Sequence, residues 1–154
     1  MIPIYLYNWT RSLPIIASSL SFQYLTNLTV DNAIIFYSIA ENYKLDDMRE
    51  NTYAFIMTRF VEVSNTKHFN YLPYERLVKL LSDDRLNVQG ELDVFYAALR
   101  WVDHNRAERI CCMPKLLREV IRCHFITPES LVRNVEPLMA DFPECAAAVN
   151  DAIR

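Results

Sequence analysis

Glycine is nearly absent. Gly90 is the only one in 154 residues, where average usage of about 7% would give roughly ten. Turns of types I′, II′ and II depend on glycine, so the deficit argues against a hairpin-rich β fold. A glycine-rich phosphate loop cannot be built at all. Basic charge is short as well: the formal net charge is −3, far from the basic footprint of a nucleic-acid binder. The one short helix resembling a recognition element, Pro114 to Val120, sets Lys115 and Arg118 against Glu119, too little for DNA contact. No apolar run approaches the 18 residues of a membrane span. Residues Leu13 to Phe22 imitate a signal-peptide core, but a single basic residue, Arg11, stands before them and no clear small-residue cleavage site follows.

Cysteine is present without disulfide density. Cys111 and Cys112 are neighbours and cannot easily bridge each other, and a chain of this size needs no staples. With Cys123 and Cys145 they read as reduced thiols of a cytosolic or nuclear protein. Cysteine with histidine is the only nucleophile–base chemistry on offer, from His68, His104 and His124. Cys123 and His124 are neighbours whose side chains point about 100° apart on a helix, so they form no local dyad. Neither Cys111-Cys112 nor Cys123-His124 has the spacing of a structural zinc site. The chain therefore reads as non-catalytic, with no cofactor and no metal.

What remains is an ordinary globular composition, 52% apolar and 23% charged, long enough for a real core and for one domain. It points to an all-α fold of successive antiparallel helix pairs, linked through Pro, Asn, Asp and Ser. Six arginines (100, 106, 109, 118, 122 and 133) are interleaved with acids and read as a solvated, mixed-sign exterior.

The stretch from Leu86 to Trp101 is the clearest element. Leu92, Phe95, Leu99 and Val102 share one face of a helix, and Val94, Ala98 and Trp101 form a second apolar stripe beside it. Two stripes predict cover on two sides. Gly90 is an acceptable N-cap, and Glu91 and Asp93 place negative charge at the positive end of the helix dipole.

An ordered series runs through this stretch: Leu86-Asn87-Val88, Glu91, Val94-Phe95, Ala97 and Trp101-Val102, then Arg109, Leu116-Leu117, Val120 and Arg122. It resembles the BACK domain, which follows a BTB domain in the BTB–kelch adaptor proteins. The likeness extends from about Leu28 to Val135 and rests on the whole series rather than on one short motif. Gly90 stands where serine is usual in the family, and Ile121 to Ile126 where a leucine- and proline-rich segment is common. The resemblance implies an elongated stack of helix pairs without a sheet, acting as a protein-interaction and spacer module. It further implies a parent that is a substrate adaptor of a cullin-3 ubiquitin ligase. The alternative is a structural scaffold in a BTB transcriptional or cytoskeletal protein that engages no ligase.

Along the chain, residues 1–27 read as an irregular segment, with Ile15 to Tyr24 the place for a remnant of the last BTB helix. Residues 28–154 read as the helical domain, and 28–63 as the paired-helix box that the resemblance assigns to cullin binding. Thr29 can cap a helix from Val30 to about Tyr43, followed by one from about Asp46 to Val63 with an apolar face of Met48, Phe55, Ile56, Phe60 and Val63. Pro73 suits the first turn of a helix to Leu81. Thr127-Pro128-Glu129 opens another to Asn134, and Pro143 to Ile153 forms the last.

The first of these helices is the most informative. Val30, Ala33, Ile34, Tyr37 and Ala40 form one face, with Glu41 at its edge. Ile35, Phe36, Ile39 and Tyr43 cluster on nearly the opposite side. Such a helix is either buried on both sides or binds a partner. The resemblance implies which partners: the N-terminal segment of cullin-3, or a BTB domain of the parent chain or of a second copy, held at Ile35, Phe36, Ile39 and Tyr43. Within the apolar series, the family's recurrent charged positions Glu91, Arg109 and Arg122 are expected to tie successive helices by hydrogen bonds.

Overall fold

The computed structural model describes residues 27–140 and 142–153. The expectations for Met1 to Pro14 and for Ile15 to Tyr24 lie outside the described residues. Those described form helices, turns and irregular links, with no strand among them, so the fold is all-α. The chain divides into two compact units, Met1–Ile56 and Met57–Arg154.

In the first unit, helix α1 (Ala33–Tyr43) begins three residues later than the spacing suggests, and Thr29 is not its cap. The cause is local. The Asn32 carboxamide accepts from the Thr29 N–H (2.8 Å) and donates to the Asn27 carbonyl (2.7 Å). That bracket draws 30–32 into a turn. Ala33, Ile34, Tyr37 and Ala40 are buried, while Val30 is only half-buried. The helix ends at Lys44, whose φ of 54° is the one positive value among the described non-glycine residues. There the Lys44 N–H reaches back to the Ala40 carbonyl, closing the end by a left-handed cap. Helix α2 (Asp46–Thr58) follows, with Asp46 and Asp47 in its first turn. Tyr37 and Tyr53 are a tilted ring pair at 5.7 Å.

In the second unit, the helix read as running to Val63 is interrupted: α2 stops at Thr58, and α3 (Phe60–Ser64) begins after Arg59. The sequence period did not show this break because its cause lies far along the chain. Asn87 takes the Met57 carbonyl with its backbone N–H (2.9 Å) and the Thr58 carbonyl with its side-chain amide (3.0 Å). Both are end-of-helix carbonyls that need a donor from elsewhere. A 3-10 turn (Phe69–Tyr71) leads to α4 (Tyr74–Leu81). Pro73 is its N-cap, just outside the first turn, and Leu77, Leu80 and Leu81 are buried.

Helix α5 (Glu91–His104) starts at Gly90, which is fully extended at φ −176°. The Asp93 carboxylate reaches back to the Gln89 N–H (2.9 Å), satisfying one of the donors a helix start leaves open. Val94, Phe95, Ala97, Ala98, Trp101 and Val102 are buried, and Leu92 and Leu99 are half-buried. At 100° per residue the fully buried set fills one arc of about 160°, so the two stripes merge into a single broad face, with Leu92 and Leu99 together beyond one edge of it. Asn105 ends the helix.

The remaining elements are short. Helix α6 (Arg106–Arg109), a 3-10 turn (Ile110–Cys112) and α7 (Met113–Lys115) run into a π turn at Leu116–Val120. After a 3-10 turn at Cys123–Phe125, α8 (Pro128–Ser130) passes through a π turn (Leu131–Val135) into α9 (Glu136–Met139). The helix expected to end at Asn134 therefore continues. Pro137 explains the widened turn, because it donates no hydrogen bond and its ring crowds the carbonyl four residues back. Thr127 caps α8, its hydroxyl accepting from the Ser130 N–H. Helix α10 (Pro143–Ile153) closes the described chain and buries Cys145, Ala148 and Val149.

Candidate protein-interaction face and its supporting ties

Helix α1 has a second apolar side. Ile35 is 39% and Tyr43 59% exposed, among the large hydrophobic residues left most open to solvent. Between them, Phe36 and Ile39 are partly buried against the Ala40–Met48 pair, with Leu45 beside them. Ile35, Ile39 and Tyr43 are spaced four residues apart, so they form one ridge along the helix, anchored at its middle by packing. The structure thus brings all four residues singled out in the sequence onto one side of α1. Phe36 and Ile39 already serve the core, and Ile35 and Tyr43 are the open ends. Glu41, at the edge of the buried face, is half-buried.

The three charged positions sit in the second unit, each in a defined contact. Glu91 is only 8% exposed, and its carboxylate accepts from the Arg122 backbone N–H at 2.9 Å. The Arg122 guanidinium donates to the Ser82 carbonyl (3.2 Å) and pairs with Asp84 (2.7 Å), itself 90% exposed. Arg109 donates from one nitrogen to the Asn70 carbonyl (2.8 Å) and the Trp101 carbonyl (2.7 Å). Its guanidinium lies 4.1 Å from the centre of the Trp101 ring. The Trp101 indole N–H in turn donates to the Leu72 carbonyl at 2.8 Å. One guanidinium and one indole therefore fasten the 69–72 turn to the end of α5.

Two tying residues escaped the sequence reading. Asn87 belongs to the quoted series, but nothing local shows that it closes the end of α2. Arg100 was grouped with the solvated arginines and is instead half-buried, donating to the Ser64 hydroxyl at 2.8 Å. Burial pushes its guanidinium below the ordinary arginine value, with the Asp93 charge opposing. A serine in an apolar helix run, Phe60-Val61-Glu62-Val63-Ser64, was the available signal for a buried polar partner.

The Cys123 and His124 side chains take different partners. The Cys123 thiol contacts the Leu117 carbonyl at 3.5 Å, whereas the His124 ring stands against Phe125 with centres 4.2 Å apart. Burial pushes the Cys123 thiol up, and the Glu91 charge adds to that. Among the described residues no group of three or more His, Cys, Asp or Glu could hold a metal ion. No described helix is long and apolar enough to cross a membrane.

The family model described as "BACK: BTB And C-terminal Kelch" matches residues 33–136. Among similar proteins, Kelch-like protein 6 of Homo sapiens is 31% identical over 127 residues, covering 81% of this chain and 20% of that protein. Kelch-like protein 31 of Danio rerio is 34% identical over 127 residues, with the same coverage of 81% and 20%. Kelch-like ECH-associated protein 1B of Danio rerio is 36% identical over 109 residues, 71% of this chain and 18% of that protein. The chain spans about a fifth of the length of these curated relatives. The matched span takes in α1 with its open ridge, Asn87, and the Glu91, Arg109 and Arg122 contacts, and on that match the chain belongs to the BACK domain family of the Kelch-like proteins.

Proposed function

We propose that this chain is a non-catalytic interaction and spacer module of a BTB–BACK protein that serves as a substrate adaptor of a cullin-3 ubiquitin ligase. Residues 28–63 act as the paired-helix box, within a helical domain extending to 154. The observation that carries the reading is the ridge on α1, where Ile35 and Tyr43 stand open beside half-buried Phe36 and Ile39. Apolar anchors preset on a rigid helix are what an extended or helical peptide needs for affinity. Membership in the BACK family supplies the class of partner, a cullin-3 N-terminal segment or a BTB domain. Four thiols suit the reducing cytosol or nucleus.

The test is titration of a cullin-3 N-terminal peptide against the parent protein with its BTB domain in place. Ile35→Asp combined with Tyr43→Asp should weaken binding at least about tenfold, the loss of roughly 1.4 kcal/mol from two exposed anchors. These open positions are better probes than Phe36, whose packing against Ala40 and Met48 a charge would disturb. A wild-type protein that binds no cullin-3 peptide would instead indicate a scaffold that never meets a ligase. Unchanged affinity in the double variant would remove the ridge from the site.

A further inference from the structure

Of the seven prolines in the sequence, only Pro128 has a serine or threonine before it, Thr127. The dipeptide lies at the surface. From His124 to Glu129 only Ile126 is buried, and Thr127, Pro128 and Glu129 are all exposed. We propose that Thr127 is a phosphorylation site for a proline-directed serine/threonine kinase.

Backbone shape comes first. Ile126 (φ −90°, ψ 131°) and Thr127 (φ −62°, ψ 144°) are both extended, the form in which a kinase cleft takes its substrate. Pro128 enforces that form, because its ring disfavours the helical region for the residue before it. Thr127 therefore keeps this shape even when the turn opens locally. Proline also suits the neighbouring pocket of such a kinase. Having no N–H, it enters an apolar cavity without stranding a donor, a cost that any other residue meets. The Thr127 hydroxyl accepts from the Ser130 N–H at 3.3 Å and donates to the Ser130 hydroxyl at 2.9 Å. Ser130 itself is followed by Leu131 and lacks the proline. In the transfer, Thr127 Oγ1 takes the γ-phosphoryl group of magnesium-bound ATP. The ester P–O bond forms as the P–O bond to ADP breaks, and the hydroxyl proton passes to the carboxylate base of the kinase. No oxidation state changes. Oxygens of the ester still accept from the Ser130 N–H, so the cap of α8 outlives the modification. The phosphate carries about −1.5 to −2 charge at pH 7. It stands two residues from Phe125, at 68% the most open of the large hydrophobic residues described, and makes that stretch of surface anionic.

The probe is an active mitogen-activated protein kinase with magnesium and ATP, acting on the folded full chain and on a synthetic peptide of residues 121–133. Intact mass should show one added phosphoryl group on the chain, and fragmentation should place it on Thr127. Thr127→Ala should lose it. Thr127→Ser keeps both the cap and an acceptor hydroxyl and should regain it, which separates loss of the acceptor from loss of the fold. Pro128→Ala should slow the transfer about tenfold or more, since its N–H enters the kinase pocket without an acceptor. Ser130→Ala should be modified as the wild type is. A peptide that takes phosphate while the folded chain does not would overturn the assignment, because the fold would then hide the site. So would phosphate found on another residue, a Pro128→Ala variant modified at the wild-type rate, or no transfer to either substrate.

Discussion

The carboxylate of Glu91, at the first turn of α5, holds the backbone N–H of Arg122, thirty-one residues further on, at 2.9 Å. Glu91 is therefore both a helix-start acid and an acceptor for an amide with no helical partner of its own. We expect Glu91→Ala to cost about 1–3 kcal/mol, because that amide is left without its acceptor in a partly buried place. Glu91→Gln keeps an acceptor oxygen and should cost less. Urea unfolding of the two variants measures the difference, and equal midpoints would mean that the contact contributes little.

The side chain of Arg122 does a smaller job than its amide. Its ion-pair partner Asp84 is almost fully open to water, and such pairs are worth about 0–1 kcal/mol. Arg122→Ala should therefore barely move the melting temperature. Arg122→Glu should lower it measurably, by placing a carboxylate against Asp84 and the Ser82 carbonyl. An unchanged melting temperature for the charge reversal would refute this tie.

Arg109 makes a sharper claim on residue identity. It meets two carbonyls and the Trp101 ring with one planar group. Lysine can place a point charge there but cannot reproduce the flat stacking. Arg109→Lys should destabilise by about 1–2 kcal/mol, and Trp101→Phe, which strips the donor from the Leu72 carbonyl, by about 1–3 kcal/mol. Thermal melts of both variants check this, and a neutral Arg109→Lys would show that charge alone suffices.

Alkaline pH should find the buried thiol. Burial raises the Cys123 thiol above its unfolded value of about 8.5. An acid whose native pKa is raised keeps its proton longer when folded than when unfolded. Its stabilising contribution is therefore complete below the unfolded value and is lost as pH rises through the folded one. Unfolding free energy should decline from about pH 8.5 upward, and Cys123→Ala should flatten that decline. Parallel curves for the two proteins would contradict the account.

Much of this was legible in the sequence. A single glycine and the 3.6-residue spacing gave the helical class, and the apolar pattern from Leu92 to Val102 gave α5 with its start at Gly90. What stayed hidden depends on partners distant in sequence. The break at Arg59 follows from Asn87, and the Arg100–Ser64 contact joins residues thirty-six apart. The widened turn before Glu136 had a local cause in Pro137, yet a continuing apolar pattern conceals a π turn because burial recurs on either side of it. For the interaction ridge, periodicity named the residues but could not say which were spoken for. Packing against Ala40 and Met48 separates Phe36 and Ile39 from Ile35 and Tyr43.

The left-handed cap at Lys44 carries a consequence for engineering. That backbone shape costs a residue with a side chain about 1–2 kcal/mol and costs glycine nothing. Gly90, meanwhile, occupies an extended site where an added Cβ would meet nothing within 4 Å. The chain's sole glycine and its sole described left-handed residue stand at different addresses. Exchanging them, as Lys44→Gly with Gly90→Ser, should give a hardier domain with the buried core and the α1 ridge left as they are.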